Sequence, residues 1–592
     1  METERKVKKS GKIKKSDFRF NIKDVPFGRK LSHLYLQEAI SKTETGAERK
    51  QFQLCRSTKR YATSGEGTED ISPMALRPMY EGRTIPYTSR ATPSMLEMNT
   101  EYGYIQFCFD QKDLLRIRGK GIDLRLFSEI RPGEAFFSRL DGTYQASFEN
   151  MGEYLLVPIK GDFDFDCEWQ WRTYSSEDAV MDISPDESGE FDLAIHFSIA
   201  DTERLSKYRP FEDCVEEVQK DYDEWLSIYP PVPAKYERMK KLSAYSVWIC
   251  YLSPLGLLTE NIMQFTKDNG AFSWHQAYFA MSAMNNVDMS VKALRGMFYY
   301  QDEYGEIPDI IDDLHVNFLA TKPPFQGFVL VYMLDHFGDK MTKEHCDLLY
   351  EPLANWYNWW MTRRDTDNNG VPQYNHGCES GNDYTMIMSK GSPAEAPDLM
   401  AYLIMLAEGL SRLAEKLGKR KEAKEWEDRS QKLLTVLTTD FWDGDKFIAR
   451  VSGSHEIIEI DEIDGYIPMM LGKRLPSDIV DKLVKDLSDP DKYYTPFGFR
   501  NVPKVFVDGA GQPGIVGGFA PVKIIPGLVE AGKKELARKL LTGFCDMNAD
   551  GFPDFMFREA DAQGIGFGKC SALSCSIFLA MAGYLFEISK EE

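Results

Sequence analysis

Two carboxylates, Glu379 and Asp383, stand four residues apart in the stretch HGCESGNDYT, residues 376–385. A glycine, small hydroxyl residues and an amide surround them. That composition serves a polar turn, where Asp and Asn favour capping positions, or a loop that holds one carboxyl group of an acid–base pair. Four further segments gather residue types of the same kind. GAFSWHQAYFAMSAM places Trp274, His275 and Gln276 just before an apolar helix, and QDEYGEIPDIIDDLH and TKPPFQGFVL bring Glu306, Asp309, Lys322 and Gln326. Near the C-terminus, ADGFPDFMFREADAQGIGFGKCSA brings Asp554, Arg558, Glu559 and Asp561. Read singly, each has a plainer role: Trp274 as a core residue, His275 as a hydrogen-bonded structural histidine, READA as an ordinary charged segment, Lys322 and Gln326 as parts of a solvated loop.

Something must bring these loops together. A chain of 592 residues is too long for one ordinary core. From about residue 30 to 205, short runs such as YGYIQFCFD, GIDLRLFSEI, EYLLVPIKG and FDLAIHFSIAD are rich in β-branched and aromatic residues. Gly, Asp and Pro punctuate them every ten residues or so, the pattern of an antiparallel sandwich. A helix, FEDCVEEVQKDYDEWLSIY, follows, and Pro230, Pro231 and Pro233 form a stiff connector. Beyond it the period becomes helical, as in KYERMKKLSAYSVWICYL, APDLMAYLIMLAEGLSRLAEKLG and CSALSCSIFLAMAGYLFEIS. Several of these are apolar nearly all round, as inner helices of a layered array are. The length leaves room for roughly twelve helices. The expected organisation is a basic flexible tail at 1–28, a β-rich domain at 29–228 ending in a linker helix, and a helical domain at 229–592. An (α/α)6 toroid, with a funnel built from the loops at one end, is the natural candidate for the last.

The net charge of −21 and the pI near 5.0 argue against a nucleic-acid partner. The one basic run, RKVKKSGKIKK at 5–15, reads as a solvated tail. The start carries no apolar signal region and no stretch reads as a membrane span. Ten scattered cysteines without a CxxC pair point to reduced thiols in a cytoplasmic protein. An acidic surface fits a monomer and a homo-oligomer alike.

The order of the motifs carries more. Trp274, GEIPD, KPPFQG, ESGNDYT, EAD and GFGKCSA follow one another as in the (α/α)6 glycoside hydrolases of family 63 and family 37, the trehalase-like group, which this chain resembles over about 235–588. The resemblance implies a six-hairpin glycosidase that cleaves α-glycosides with inversion and needs no cofactor. By it, Asp383 matches the general acid and Glu559 the general base. Trp274, His275, Gln276, Gln326, His376, Glu379, Asn382 and Phe519 would bind a small carbohydrate or glycoside. Inversion requires two carboxyls about 6.5–9.5 Å apart, one protonated and one ionised, in unlike environments. Residues 383 and 559, on separate loops, can face each other across a funnel. Glu379 and Asp383 cannot flank a sugar from opposite faces, so Asp383 acts while Glu379 binds the sugar or holds the acid loop. Asp554 and Asp561 are the other candidates for the base.

The pattern is not followed throughout. Trp274-His275 stands where the family has Trp-Asp, VGGFAPV (516–522) lacks both tryptophans of the family's W-x-G-P-V-W loop, and Lys569-Cys570 replaces Trp-Thr. A non-catalytic sugar-binding protein, or a phosphorylase or epimerase on the same toroid, would be the alternatives. DTDNNG at 365–370 and DMNADG at 546–551 imitate calcium loops, but their twelfth positions are His376 and Phe557 rather than the bidentate glutamate. Asx turns account for both, and no metal is expected.

Overall fold

A computed structural model describes residues 18–590 except 43–47, 58–72, 268, 384, 505–513 and 567. The chain divides into two compact units, Met1–Trp225 and Leu226–Glu592.

The first unit holds two eight-stranded sheets, and every strand pair in them is antiparallel. Alternation decides which face each strand buries: in Asp123–Ser128 the buried residues are Leu124, Leu126 and Ser128. The core lies between the sheets. Phe27 and Phe52 of one sheet meet Phe109 and Phe107 of the other at ring distances of 5.8 and 5.4 Å. The segment assigned to the tail carries apolar residues too: Phe18, Phe20, Ile22, Val25 and Phe27 are buried, and Phe27–Gly28 pairs with Leu34–Lys42. The basic run itself lies outside the described residues. Helix α1 (Phe211–Leu226) closes the unit and buries Val215, Val218, Tyr222 and Trp225.

The second unit holds two kinds of helix, which alternate from Ser273 onward; the helix before, Glu237–Cys250, is buried too. Helices α2 (Glu237–Cys250), α3 (Ser273–Ser282), α5 (Gln326–Phe337), α7 (Pro397–Lys416), α10 (Ala520–Glu530) and α12 (Ala572–Ile588) are buried over most of their surface. Between them come α4 (Val287–Arg295), α6 (Lys343–Arg363), α8 (Arg420–Asp440), α9 (Ser477–Leu487) and α11 (Lys534–Asp550), each with one apolar stripe. A 3₁₀ segment, Ile463–Arg474, is buried like the first kind; Pro468 and a kink at Gly472 keep it from α geometry and hid it from helical periodicity. Neighbours pack in order: α3 on α5, α5 on α7, α7 on the 3₁₀ segment, that segment on α10, and α12 on α2 and α3. Local signals start these helices where expected. Thr342 and His345 form a capping box on α6, Pro397 opens α7, and Ser571 caps α12 by accepting from Ser574 N–H. Among the described residues no helix is long and apolar enough to cross a membrane.

One close approach fixes α10. A Cβ on Gly527 would lie 1.9 Å from the Met469 carbonyl oxygen, a backbone atom of the 3₁₀ segment that cannot swing aside. On α7, a Cβ on Gly409 would meet only the Leu330 side chain, at 2.8 Å. Gly527→Ala should therefore cost about 3 kcal/mol or more through overpacking, and Gly409→Ala clearly less. Urea unfolding midpoints of the two variants beside wild type measure the difference. Equal midpoints for both variants would contradict the close packing of α10 on the 3₁₀ segment.

Candidate active site

The loop after α6 is tied down residue by residue. Glu379 is buried and pairs with Arg364 at 2.7 Å. Its other oxygen accepts from the backbone N–H of Asn375 at 2.6 Å and His376 at 3.3 Å. His376 in turn accepts from Cys378 N–H through Nδ1, so both residues serve the 3₁₀ turn Gly377–Ser380. Both oxygens of Glu379 are thus engaged, one by Arg364 and one by the backbone of its own loop. Gly381 has φ +83°, and a Cβ there would fall 2.0 Å from the Trp274 ring. Both the left-handed backbone and the close approach call for glycine at the centre of E-S-G-N-D. Asn382 donates to Asp464 at 2.9 Å, and Thr385 donates to Glu462 at 2.6 Å. Asp383, between these anchors, is exposed. Burial and the adjacent Asp383 push the Cys378 thiol up to about 11.

Asp383 stands on a cavity of about 370 Å3 whose walls include Phe265, Trp274, Asp464, Phe519, Lys523 and Phe555. Trp274 and His275 lie within the first turn of α3 rather than before it. The Trp274 ring packs edge-on against Phe519 at 4.9 Å and Tyr278 at 5.6 Å. His275 is buried beside Phe272 and Phe265, and burial together with Lys322 holds its pKa well below the usual histidine range. It enters the cavity as a neutral ring, with Nδ1 unpartnered among the described residues. Beneath lies a polar layer that no motif announced. Asp464, Glu462 and Asp398 are buried, and burial raises the pKa of all three, Asp398 to about 7. Tyr374 donates its hydroxyl to Asp398 at 2.9 Å. Lys523 is buried on the first turn of α10, and burial draws its pKa down to about 8.

The candidate base sits beside this cavity on a short sheet. Ile515–Gly517 pairs with Met556–Arg558, which brings VGGFAPV against DFMFRE and puts Met556 on the cavity wall. Glu559 follows directly, and Arg500 grips it with two hydrogen bonds, Nε at 2.7 Å and Nη2 at 2.5 Å. Those bonds hold the Glu559 carboxyl below the usual glutamate range. The same arginine donates to the carbonyls of Pro490, Lys492 and Tyr494, so it is anchored independently of Glu559. Asp554 accepts from the backbone N–H groups of Phe555, Gly566 and Gly568, and Asp561 pairs with Arg558 at 2.8 Å. Both are occupied in shaping the turn.

The structure thus gathers Trp274, His275, Asn382, Asp383, Phe519 and Lys322 on one cavity. Glu559, Gln276, Gln326, His376 and Glu379 are not among its lining residues. The Gln276 amide bonds to the backbone of Met263 and Phe272, an interaction that ties α3 to the strand Ile262–Met263. Gln326 is buried at the start of α5. In the DTDNNG turn, Asp365 accepts from the N–H groups of Asn369 and Gly370, and Asn369 accepts from the N–H of Val371 two residues on, an Asx turn. Asp367, Glu395 and His455 lie within 4.8 Å of one another there. Asn369 donates to both carboxylates and Arg450 to Glu395.

Residues 269–504 match the family model described as the mannosylglycerate hydrolase MGH1-like glycoside hydrolase domain. Among solved structures, a GH63 mannosylglycerate hydrolase from Thermus thermophilus in complex with Tris and D-glycerate is 16% identical, covering 59% of this chain and 99% of that one with a TM-score of 0.48. The same enzyme in complex with glucose is 17% identical over 52% of this chain and 93% of that one, TM-score 0.46. A sialidase aligns at 10% identity over 93% of this chain and 61% of that one, TM-score 0.47. The segment that carries Trp274, the E-S-G-N-D loop and the buried Asp464 matches a glycoside hydrolase domain of the MGH1-like type, and the protein is a glycosidase.

Proposed function

We propose that the protein is an inverting, exo-acting α-glycoside hydrolase of small glycosides, built on a six-hairpin (α/α)6 toroid. The toroid reading rests on the alternation of buried and one-sided helices and on α12 packing back onto α3. Asp383 is the general acid and Glu559 the general base. The observation that carries this reading is the placement of Asp383, exposed on an aromatic-lined cavity between two anchored neighbours, Asn382 on Asp464 and Thr385 on Glu462. A loop so fixed can present a proton at one point in space. Glu559 has the complementary property, since a base must be ionised and Arg500 favours its ionised form. A cavity of about 370 Å3 suits a single sugar ring with part of its aglycone better than a polymer. The name of the matching family, mannosylglycerate hydrolase, favours small glycosides as well. All ten cysteines are free thiols, which agrees with a reducing, cytoplasmic setting and the uptake of small substrates.

Two measurements test the assignment. A screen of α- and β-linked glycosides, with the product anomer followed by proton NMR, should show an α-glycoside releasing the β-anomer. Asp383→Asn and Glu559→Gln should each lower kcat by about 100- to 10,000-fold. Retention of configuration, or turnover that requires phosphate, would overturn the inverting hydrolase; full activity in Glu559→Gln would move the base elsewhere.

The second measurement is a pH profile. The Glu559 pKa is lowered in the folded protein, so its ionised form persists below the ordinary glutamate value of 4.5 and is lost only as pH falls through the lowered value. Arg500→Gln should therefore shift the acid limb of kcat/KM to higher pH, besides weakening the turn at 490–494. An unmoved limb in a folded Arg500→Gln protein would show that Glu559 does not set it.

A further inference from the structure

Lys523 is 1% exposed and lines the cavity. Four aromatic rings surround its ammonium: Trp274 at 4.5 Å from the centroid, Tyr402 at 5.4 Å, Phe519 at 5.7 Å and Phe325 at 5.9 Å. Ring faces attract a cation but accept no full hydrogen bond. Among the described residues nothing accepts one from Lys523, and no carboxylate stands within 4.0 Å of it. The acids that act on it through space, Asp464 and Asp398, already accept from Asn382 and Tyr374. A buried ammonium is costly when it is left without a counter-charge or acceptor. This one is held by its cage with donors left over for the cavity.

The position is telling. Asp383 is exposed, whereas Lys523 is buried at the floor of the same cavity. In an exo-acting hydrolase the glycosidic oxygen lies beside the acid. The part of the terminal sugar that reaches the floor is then the end remote from the bond to be broken. In register, Lys523 follows VGGFAPV where the W-x-G-P-V-W pattern has its second tryptophan. On α3, His275 takes the place of an aspartate and lines the same cavity. Both exchanges shift the cavity towards positive charge.

Resting on the hydrolase reading above, we infer that Lys523 selects a glycoside whose terminal sugar is a hexuronic acid, its carboxylate accepting from the caged ammonium. A neutral hydroxymethyl group at the same point would add nothing to the through-space attraction of Asp464 and Asp398, whereas a carboxylate gains a charge-assisted hydrogen bond in a water-poor site. The ammonium stays mostly charged at neutral pH, because its lowered pKa is still about 8. The other titratable groups facing it are Asp464, Asp398 and the phenol of Tyr402, which burial holds protonated.

The test is binding, so that it stands apart from turnover. Calorimetric titration of the Asp383→Asn protein with free glucuronate, galacturonate and mannuronate, beside the parent hexoses, should give one uronate an affinity about 10- to 100-fold above its hexose. Lys523→Met should abolish that preference and Lys523→Arg should keep part of it, with circular dichroism confirming that both are folded. Without any substitution at 523, uronate affinity should fall as pH rises above about 8 while hexose affinity stays level. A hexose preference, or a uronate preference untouched by both Lys523→Met and high pH, would overturn the inference. So would binding of D-glycerate in place of uronate that is lost in Lys523→Met, because it would move the anion to the aglycone. Uronate binding without hydrolysis of any α-hexuronide by wild type would uphold Lys523 and count against the catalytic reading alone.

Discussion

The buried ion pair between Arg364 and Glu379 is the constraint on which the site turns. Arg364 follows the last residue of α6 and stacks over Trp359, so its guanidinium is fixed before the loop begins. Glu379 uses that fixed charge on one oxygen and two backbone N–H groups on the other. A carboxylate bound on both sides holds a short turn far more tightly than side-chain packing alone. The turn delivers Gly381 onto the Trp274 ring and Asn382 onto Asp464, and Asp383 inherits its position from all three.

Below the loop, the protein buries more charge than an apolar core would tolerate. Asp398, Glu462, Asp464 and Lys523 occupy one region under the aromatic wall. Their coexistence is explained by donors and by mutual influence. Tyr374, Asn382 and Thr385 each donate to one oxygen of a carboxylate, while Lys523 and Asp464 each favour the charged form of the other. Such a layer specifies one arrangement of the loop, because a shifted loop would strand a carboxylate without its donor.

Helical periodicity and the E-S-G-N-D loop were legible because each is local: a stripe repeats within one helix, and a motif reads within five residues. The same holds for the strands of the first unit, whose alternation needs no partner to be seen. What could not be read depends on distant partners. The bond from Gln276 to Met263 is one such case, because Met263 belongs to another element. Lys523 is a single charge in an apolar run, and Glu462 and Asp464 belong to the acidic run EIDEIDG, 459–465, which a sequence presents in the same way whether they face solvent or a cavity. The Ile463–Arg474 segment carries a proline and a kinked glycine, and its burial comes from α7 and α10 packed around it rather than from its own pattern.

The contact between Gly381 and Trp274 has a consequence for anyone wishing to move this loop to another scaffold. The motif is not self-contained: its glycine is the imprint of a ring supplied by a different helix, much as a mould records an object no longer in it. Transplanted without an indole at the matching place, the five residues would keep their spelling and lose the surface that gives their turn its height. Positions 274 and 381 therefore form one unit of design, and a redesigned pocket has to treat them as a single choice.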